Sequence, residues 1–249
     1  MTSRHMETPR SLLLAFSAFA AVLASACNRG AEAGGAASAE QSTAKPEAKV
    51  DLAALRTQAE QGSAQAQARL ARACLSGGGS LPDYKEAARW SMAAATNGNP
   101  DAETILGELY LAGQGVAHDP AAAIHWLTRA ADDGWVPAQY DLAFMYETGG
   151  GAPKNGAAAA KWFLLAAQGG DALAQFDYGQ RCLAGMSVKK DEIEGLKWLL
   201  LAQSQGQVDA AKQVKVLLSA LSNAQIDEAK KRASAFTPQI ITNTANLSR

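Results

Sequence analysis

Between residues 62 and 206, apolar side chains alternate with polar ones at spacings that place the apolar ones on one face of a helix. One group has gaps of four, one and three residues, as in Ala66, Leu70, Ala71 and Cys74. A second group has gaps of three and four residues, as in Ala87, Trp90 and Ala94. Because positions three and four apart share a helical face, each group predicts one amphipathic helix. The small residues in both groups favour close packing between neighbouring helices.

The two groups alternate with a period of 36 residues. The Trp of the second group recurs without insertion, at Trp90, Trp126, Trp162 and Trp198. Glycines keep the same register, at Gly62, Gly98, Gly134, Gly170 and Gly206. A period of this length is typical of repeat arrays, in which no unit buries its apolar face alone and neighbours stack into a continuous core. The chain is therefore predicted to form an all-α solenoid of antiparallel helix pairs.

Turn residues in the same register mark the ends of the predicted helices, which we name helix A and helix B of each unit. A glycine follows each helix A, at Gly77, Gly113, Gly149 and Gly185, and predicts a left-handed terminating residue. An Asp or Asn then takes the N-cap position of each helix B, at Asp83, Asp119, Asn155 and Asp191. Such side chains accept hydrogen bonds from the free amides of the first turn.

The first 26 residues have the organisation of an export signal. Arg4 and Arg10 precede a twelve-residue apolar run at 11–22, which is shorter than the roughly 20 residues of a membrane-spanning helix. Small residues ending at Ala26 then precede Cys27. The segment resembles a bacterial lipoprotein signal peptide, and this resemblance implies that Cys27 is acylated and becomes the new N-terminus. Cleavage after Ala26 without lipidation is the alternative.

Residues 28–49 contain no aromatic or large aliphatic side chain, so the lipidated Cys and the residues up to 49 are predicted to form a flexible tether. Asn28 after the cysteine resembles lipoproteins sorted to the outer membrane, which implies a location at its periplasmic face. The solenoid is predicted at 50–236, with repeats at about 62–97, 98–133, 134–169 and 170–205 and a cap helix or helices at each end. Residues 237–249 are predicted to form a disordered tail.

The repeat units resemble those of the Sel-one-like (Sel1-like) repeat family, which is related to the tetratricopeptide repeat. The sequences AETILGELYLAGQGV at 102–116 and AAIHWLTRAA at 122–131 carry the resemblance, which extends over about residues 62–206. It implies a right-handed superhelix with helices A on the concave side and helices B on the convex side. It also implies a scaffold for protein–protein interaction, and it implies no catalysis.

Charge and candidate chemistry narrow the function further. A formal net charge of −1 does not favour nucleic acid as a partner. His125 has no ligand at metal-binding spacing, and no Ser or Cys has a base nearby in the repeat register, so neither a catalytic residue, a metal nor a cofactor is predicted. Cys74 and Cys182 share a position three repeats apart, too far for a disulfide, and are predicted to be small apolar core residues.

Aromatic residues gather on the surface of helix A in the third and fourth repeats. The position of Ala68 and Thr104 becomes Tyr140 and then Phe176, and the position of Arg72 and Glu108 becomes Phe144. Trp135 begins the same helix as Tyr140 and borders this group. Aromatic residues on a concave surface suit the binding of a peptide, so Tyr140, Phe144, Phe176 and Trp135 are predicted to contact a partner. Packing of these rings between adjacent helices A is the competing interpretation.

The sequence thus favours a lipid-anchored envelope scaffold or adaptor that binds a protein or peptide on its concave face. One alternative is an envelope enzyme or activator acting on peptidoglycan or on β-lactams, suggested by the compartment and by distant relatives. Another is self-assembly through the end of the array.

Overall fold

The structure, a computed structural model, describes residues 52–77 and 81–239. These residues form eleven α-helices and no β-strand. The helices are α1 (Leu52–Glu60), α2 (Ala64–Ser76), α3 (Tyr84–Thr96), α4 (Pro100–Ala112), α5 (Pro120–Asp132), α6 (Val136–Thr148), α7 (Gly156–Gln168), α8 (Ala172–Ala184), α9 (Glu192–Ser204), α10 (Val208–Ala220) and α11 (Asn223–Ser234). The predicted all-α fold is confirmed.

Each helix from α2 to α9 packs on the helix before it and the helix after it, as expected of a solenoid. The pairs α2/α3, α4/α5, α6/α7 and α8/α9 are the four repeats, and the first helix of each pair is helix A. Helix α1 packs on the first pair, and both α10 and α11 pack on α9. Within 52–77 and 81–239, no helix is both long and apolar enough to cross a membrane.

Small side chains let helix A and helix B of one repeat approach closely. A Cβ atom on Gly107 of α4 would lie 2.7 Å from Cγ of Leu127 on α5, and one on Gly195 of α9 would lie 2.6 Å from Cδ2 of Leu183 on α8. The equivalent positions hold alanine in the other helices, except for Gly179 in α8. The predicted core positions Ala71, Ala87, Ala94, Ala102, Ala123, Ala130, Ala138, Ala143, Ala159, Ala166, Ala174 and Ala202 are fully buried. Trp90, Trp162 and Trp198 are buried beside them, whereas Trp126 is half-buried.

The predicted helix ends are also present. Gly113 ends α4 with φ 64°, in the left-handed region that a side chain disfavours, and the other three predicted glycines behave alike. The side chains of Asp83, Asp119, Asn155 and Asp191 each accept a backbone N–H in the first turn of helix B. A second series, which the sequence analysis did not identify, caps three of the helices A through Ser63, Asn99 and Asp171.

Buried glutamines join three of the four repeats to the helix before them. Gln67, Gln139 and Gln175 occupy one position of helix A and are 6% exposed or less. Each side-chain amide donates a hydrogen bond of 3.0 to 3.2 Å to the carbonyl eight residues earlier, near the end of the preceding helix. These carbonyls also accept a backbone N–H from Gly62, Gly134 or Gly170, so the glutamine adds a second bond that links helix A to the end of the preceding helix.

The second repeat carries Glu103 at this position instead. Its carboxylate is 1% exposed and forms an ion pair with the Arg129 guanidinium at 2.9 Å. Burial raises the pKa of Glu103 above its usual value, while the Arg129 charge opposes that rise. An ionised carboxylate also cannot donate to a carbonyl as the glutamines do.

We therefore expect Glu103→Gln to raise the free energy of unfolding at pH 7 by about 1 kcal/mol. Because the pKa of Glu103 is raised on folding, its contribution to stability is fully present below the pKa of the unfolded chain and is lost as pH rises through the folded pKa. The variant should therefore lose less stability than the wild type as pH rises from 4 to 7. Urea unfolding across this range measures both effects, with the exposed substitution Glu60→Gln as control. A lower stability of Glu103→Gln at pH 7 would contradict this reading.

Candidate partner-binding surface

Tyr140 lies inside the array rather than on its surface. The side chain is 7% exposed, and its ring meets Phe163 of α7 edge to face with the ring centres 5.5 Å apart. The hydroxyl donates a hydrogen bond of 3.1 Å to Asp177 of α8. Tyr140 therefore links helix A of the third repeat to helix A of the fourth. Little of its surface area is accessible to a partner.

Phe144 and Phe176 remain half-buried. Phe144 lies one turn after Tyr140 on α6, and Phe176 packs against the apolar cluster that contains Leu196 and Leu199 of α9. Part of each ring stays accessible on the helix A surface. These two side chains, rather than Tyr140, supply the accessible aromatic area of the predicted group.

Trp135 occupies the N-cap position of α6, where the other repeats carry Ser63, Asn99 and Asp171. It makes no capping hydrogen bond, whereas each of those three does. Replacing a capping residue costs about 1 kcal/mol of helix stability. The ring is half-buried against the central apolar cluster, and its buried Nε1 has no hydrogen-bond partner. The 36-residue register alone could have identified this exception.

Charged side chains link successive helices A. Arg181 of α8 is 5% exposed, forms an ion pair with Glu147 of α6 and lies 4.8 Å from the ring centre of Phe163. Burial lowers the pKa of Arg181. In the first two repeats, Arg72 donates to Asp101 over 2.9 Å. Direct bonds between helices A therefore hold this side of the array at both ends.

The described part of the chain contains two thiols and two histidines. Burial raises the pKa of the Cys182 thiol to about 11, and it also raises the pKa of the half-buried Cys74. His125 is exposed on α5, with its ring edge to face with Trp126. The residues that the structure describes contain no group of three or more His, Cys, Asp or Glu that could hold a metal. The predicted lipidation site, Cys27, lies outside the described residues.

Comparisons with known proteins identify the family of the repeats. The family model for the Sel1 repeat matches residues 64–99, 100–135, 136–171 and 172–207, which is more than half of the chain. Its boundaries lie two residues after those predicted from the glycine register. No protein of curated description matches the chain.

Solved structures agree with this match. A Sel1 repeat protein from Oxalobacter formigenes is 36% identical over 67% of this chain and 48% of its own, with a TM-score of 0.61. A protective antigen of uropathogenic Escherichia coli with the SLR fold is 32% identical over 74% of this chain and 41% of its own, with a TM-score of 0.65. The chain thus spans less than half the length of either relative.

The geometry gives Tyr140 a structural role that a mutation can test. Tyr140→Phe keeps the ring on Phe163 and removes the hydroxyl that donates to Asp177, so we expect it to lower the free energy of unfolding by about 1 kcal/mol. Urea unfolding followed by circular dichroism measures the change. Tyr146→Phe, on the same helix, controls for the loss of a phenol hydroxyl. Equal stability of Tyr140→Phe and the wild type would show that the bond does not join the two repeats.

Proposed function

The chain belongs to the Sel1 repeat family, whose members generally act as protein–protein interaction scaffolds, and we propose that it is a lipid-anchored scaffold of the bacterial envelope. Its partner is a protein or peptide that binds the helix A surface of the third and fourth repeats. Members of this family are typically non-enzymatic, and binding without turnover is the activity proposed for this chain.

The position of the aromatic side chains supports this proposal most directly. In the first two repeats, the helix A positions in question hold Ala68, Thr104, Arg72 and Glu108. In the next two repeats three of the four positions are aromatic, and Phe144 and Phe176 keep part of their area accessible, while the fourth position is Gln180. A structural array needs no such difference between repeats, because every repeat meets its neighbours in the same way. Aromatic rings with accessible area are the side chains that most often anchor a partner.

The unused capping position at Trp135 supports the same surface. Local rules that a sequence breaks without a compensating bond are found mainly at functional sites. Trp135 gives up the capping bond that Ser63, Asn99 and Asp171 make, and it starts the helix that carries Phe144. We therefore include Trp135 in the surface and treat Tyr140 as the residue that supports it from beneath.

Anchoring rests on the sequence of the N-terminal segment. The apolar run and the small residues before Cys27 suit acylation of that cysteine, and two or more acyl chains hold a protein stably at a membrane. The 22 residues at 28–49 would then separate the array from the lipid by roughly 25 Å on average. We propose the periplasmic face of the outer membrane as its location.

The binding surface can be tested with a charged double variant, Phe144→Asp with Phe176→Asp. We expect capture of envelope proteins by the purified protein to fall at least tenfold, because a carboxylate in an apolar contact remains desolvated and unpaired. Quantitative mass spectrometry of captured proteins gives the readout, and circular dichroism verifies the fold.

The matched control for this variant is Ala157→Asp, which adds one charge to an exposed position on α7, in helix B of the same repeat. It should capture the same proteins as the wild type. Equal capture by the double variant and the wild type would place the partner elsewhere on the array.

The anchor can be tested separately with Cys27→Ser. We expect the wild type to incorporate labelled fatty acid and to partition into detergent, whereas the variant should do neither, because an alcohol does not replace the thiol in lipoprotein acylation. Export of an unlabelled wild-type protein into the aqueous phase would instead support cleavage after Ala26 without lipidation.

A further inference from the structure

The chain after α11 turns back onto the repeats and covers helices B. Residues 235–239, which we name the C-terminal strap, have no regular secondary structure. The ring of Phe236 meets Trp198 of α9 edge to face at 5.4 Å, and the backbone N–H of Gln239 donates to the carbonyl of Gln168 on α7 over 2.8 Å. The predicted disordered tail began at 237, so its first three residues lie within this contact.

The strap is bound in the manner of an extended peptide. It supplies one aromatic anchor and one main-chain hydrogen bond, and these contacts lie on two successive repeats. Pro238 also packs closely on Gly170, where a Cβ would lie 3.3 Å from the proline ring. The equivalent glycines Gly62, Gly98 and Gly206 have no such neighbour. The surface under the strap therefore accepts extended chain.

One donor under the strap has no acceptor. In the first repeat, Nε1 of Trp90 donates to Glu86 over 2.9 Å. Glu86 accepts from Arg56 and Arg89 as well. The equivalent carboxylate in the fourth repeat, Glu194, accepts from Lys197 over 2.8 Å and from Arg232 over 3.4 Å but not from the indole. Nε1 of Trp198 is buried without a hydrogen bond. A stranded donor of this kind disfavours the state that buries it.

The strap also leaves space beside two cationic side chains. A cavity of about 400 Å³ remains between the strap and the helices, and its lining includes Lys197, Trp198, Arg232 and Phe236. Among the described residues, Lys197 donates one hydrogen bond to a carboxylate, and Arg232 donates two. A lysine ammonium carries three N–H donors and an arginine guanidinium carries five, so both groups can donate further bonds. A carboxylate placed in this cavity would meet these free donors.

We infer that this cleft is a second peptide-binding site, which the strap occupies at rest. Its ligand is a partner segment that carries an aromatic residue followed within three positions by Asp or Glu. The aromatic residue replaces Phe236 on Trp198, and the carboxylate accepts from Lys197, Arg232 or the Trp198 indole. The strap has the aromatic residue but lacks the carboxylate, so a segment that carries both can displace it. This site lies on helices B and does not depend on the aromatic group of helices A.

The test uses the strap as its own probe. A fluorescent peptide with the sequence of 233–239 and its Gln239→Glu version are titrated against the wild type and Phe236→Ala by anisotropy. We expect both peptides to bind Phe236→Ala at least tenfold more tightly than the wild type, because a tethered strap competes at an effective concentration near millimolar. The acidic peptide should bind more tightly than the neutral one by about fivefold, and salt should reduce that gain.

Three further variants make the result interpretable. Gln239→Pro removes the N–H that reaches Gln168 and leaves Phe236 in place, so it opens the cleft if Phe236→Ala does not fold. Lys197→Gln, made in the Phe236→Ala protein, should reduce the gain of the acidic peptide. Lys161→Gln is its matched control, because Lys161 holds the same position one repeat earlier and does not line the cavity. It should leave the gain intact.

The place where the peptide binds is found from the indole N–H signals in a ¹⁵N-correlated NMR spectrum. The Trp198→Phe variant identifies the signal of Trp198. Binding of the acidic peptide should shift that signal more than those of the other Trp residues. The inference is overturned if neither peptide binds the folded strap variants, or if both peptides bind the wild type as tightly as they bind the strap variants. It is also overturned if peptide binding leaves the Trp198 signal unmoved.

Discussion

The close approach of helix A to helix B within each repeat is the constraint on which this structure depends. It requires small residues at fixed positions, and the chain meets this requirement with alanine nearly everywhere and with glycine at 107, 179 and 195. Alanine buries little apolar area, so a core of this kind gains stability from many close contacts rather than from a few large side chains. The tryptophans then fill the remaining space on helices B. The period of 36 residues repeats this solution without a break.

This constraint explains why the sequence predicted the fold so well. The register of small residues located the helix pairs, and Gly113 and Asp119 located a helix end and a helix start through local geometry alone. The buried glutamines and Glu103 were missed because their partners are backbone carbonyls of another helix, which no local pattern reveals. Tyr140 shows a second limit. Helical phase gives the direction of a side chain, whereas its burial depends on how closely the next repeat packs, and Ala68 and Thr104 at the same phase are also buried.

The candidate surfaces lie where individual repeats depart from the common unit. Trp135 breaks a series of capping residues, Glu103 breaks a series of glutamines, and Glu194 does not accept from Trp198 as Glu86 accepts from Trp90. In a repeat protein such departures are unusually easy to interpret, because three other copies show what the fold alone requires. The strap could not be predicted in this way, since it follows the last repeat and its contacts join residues that differ in position by up to 71.

The packing of each helix on its immediate neighbours also has a kinetic consequence. Nearly all contacts in the array join residues less than about 40 positions apart, which is a low contact order for a protein of this length. Folding can therefore start at any repeat and spread in either direction, as in other linear arrays. Closure of the strap is the exception, because Gln168 meets Gln239 only after the fourth repeat and α11 have formed. We therefore expect the helix B surface at this end of the array to be completed last, after the helix A surface has formed.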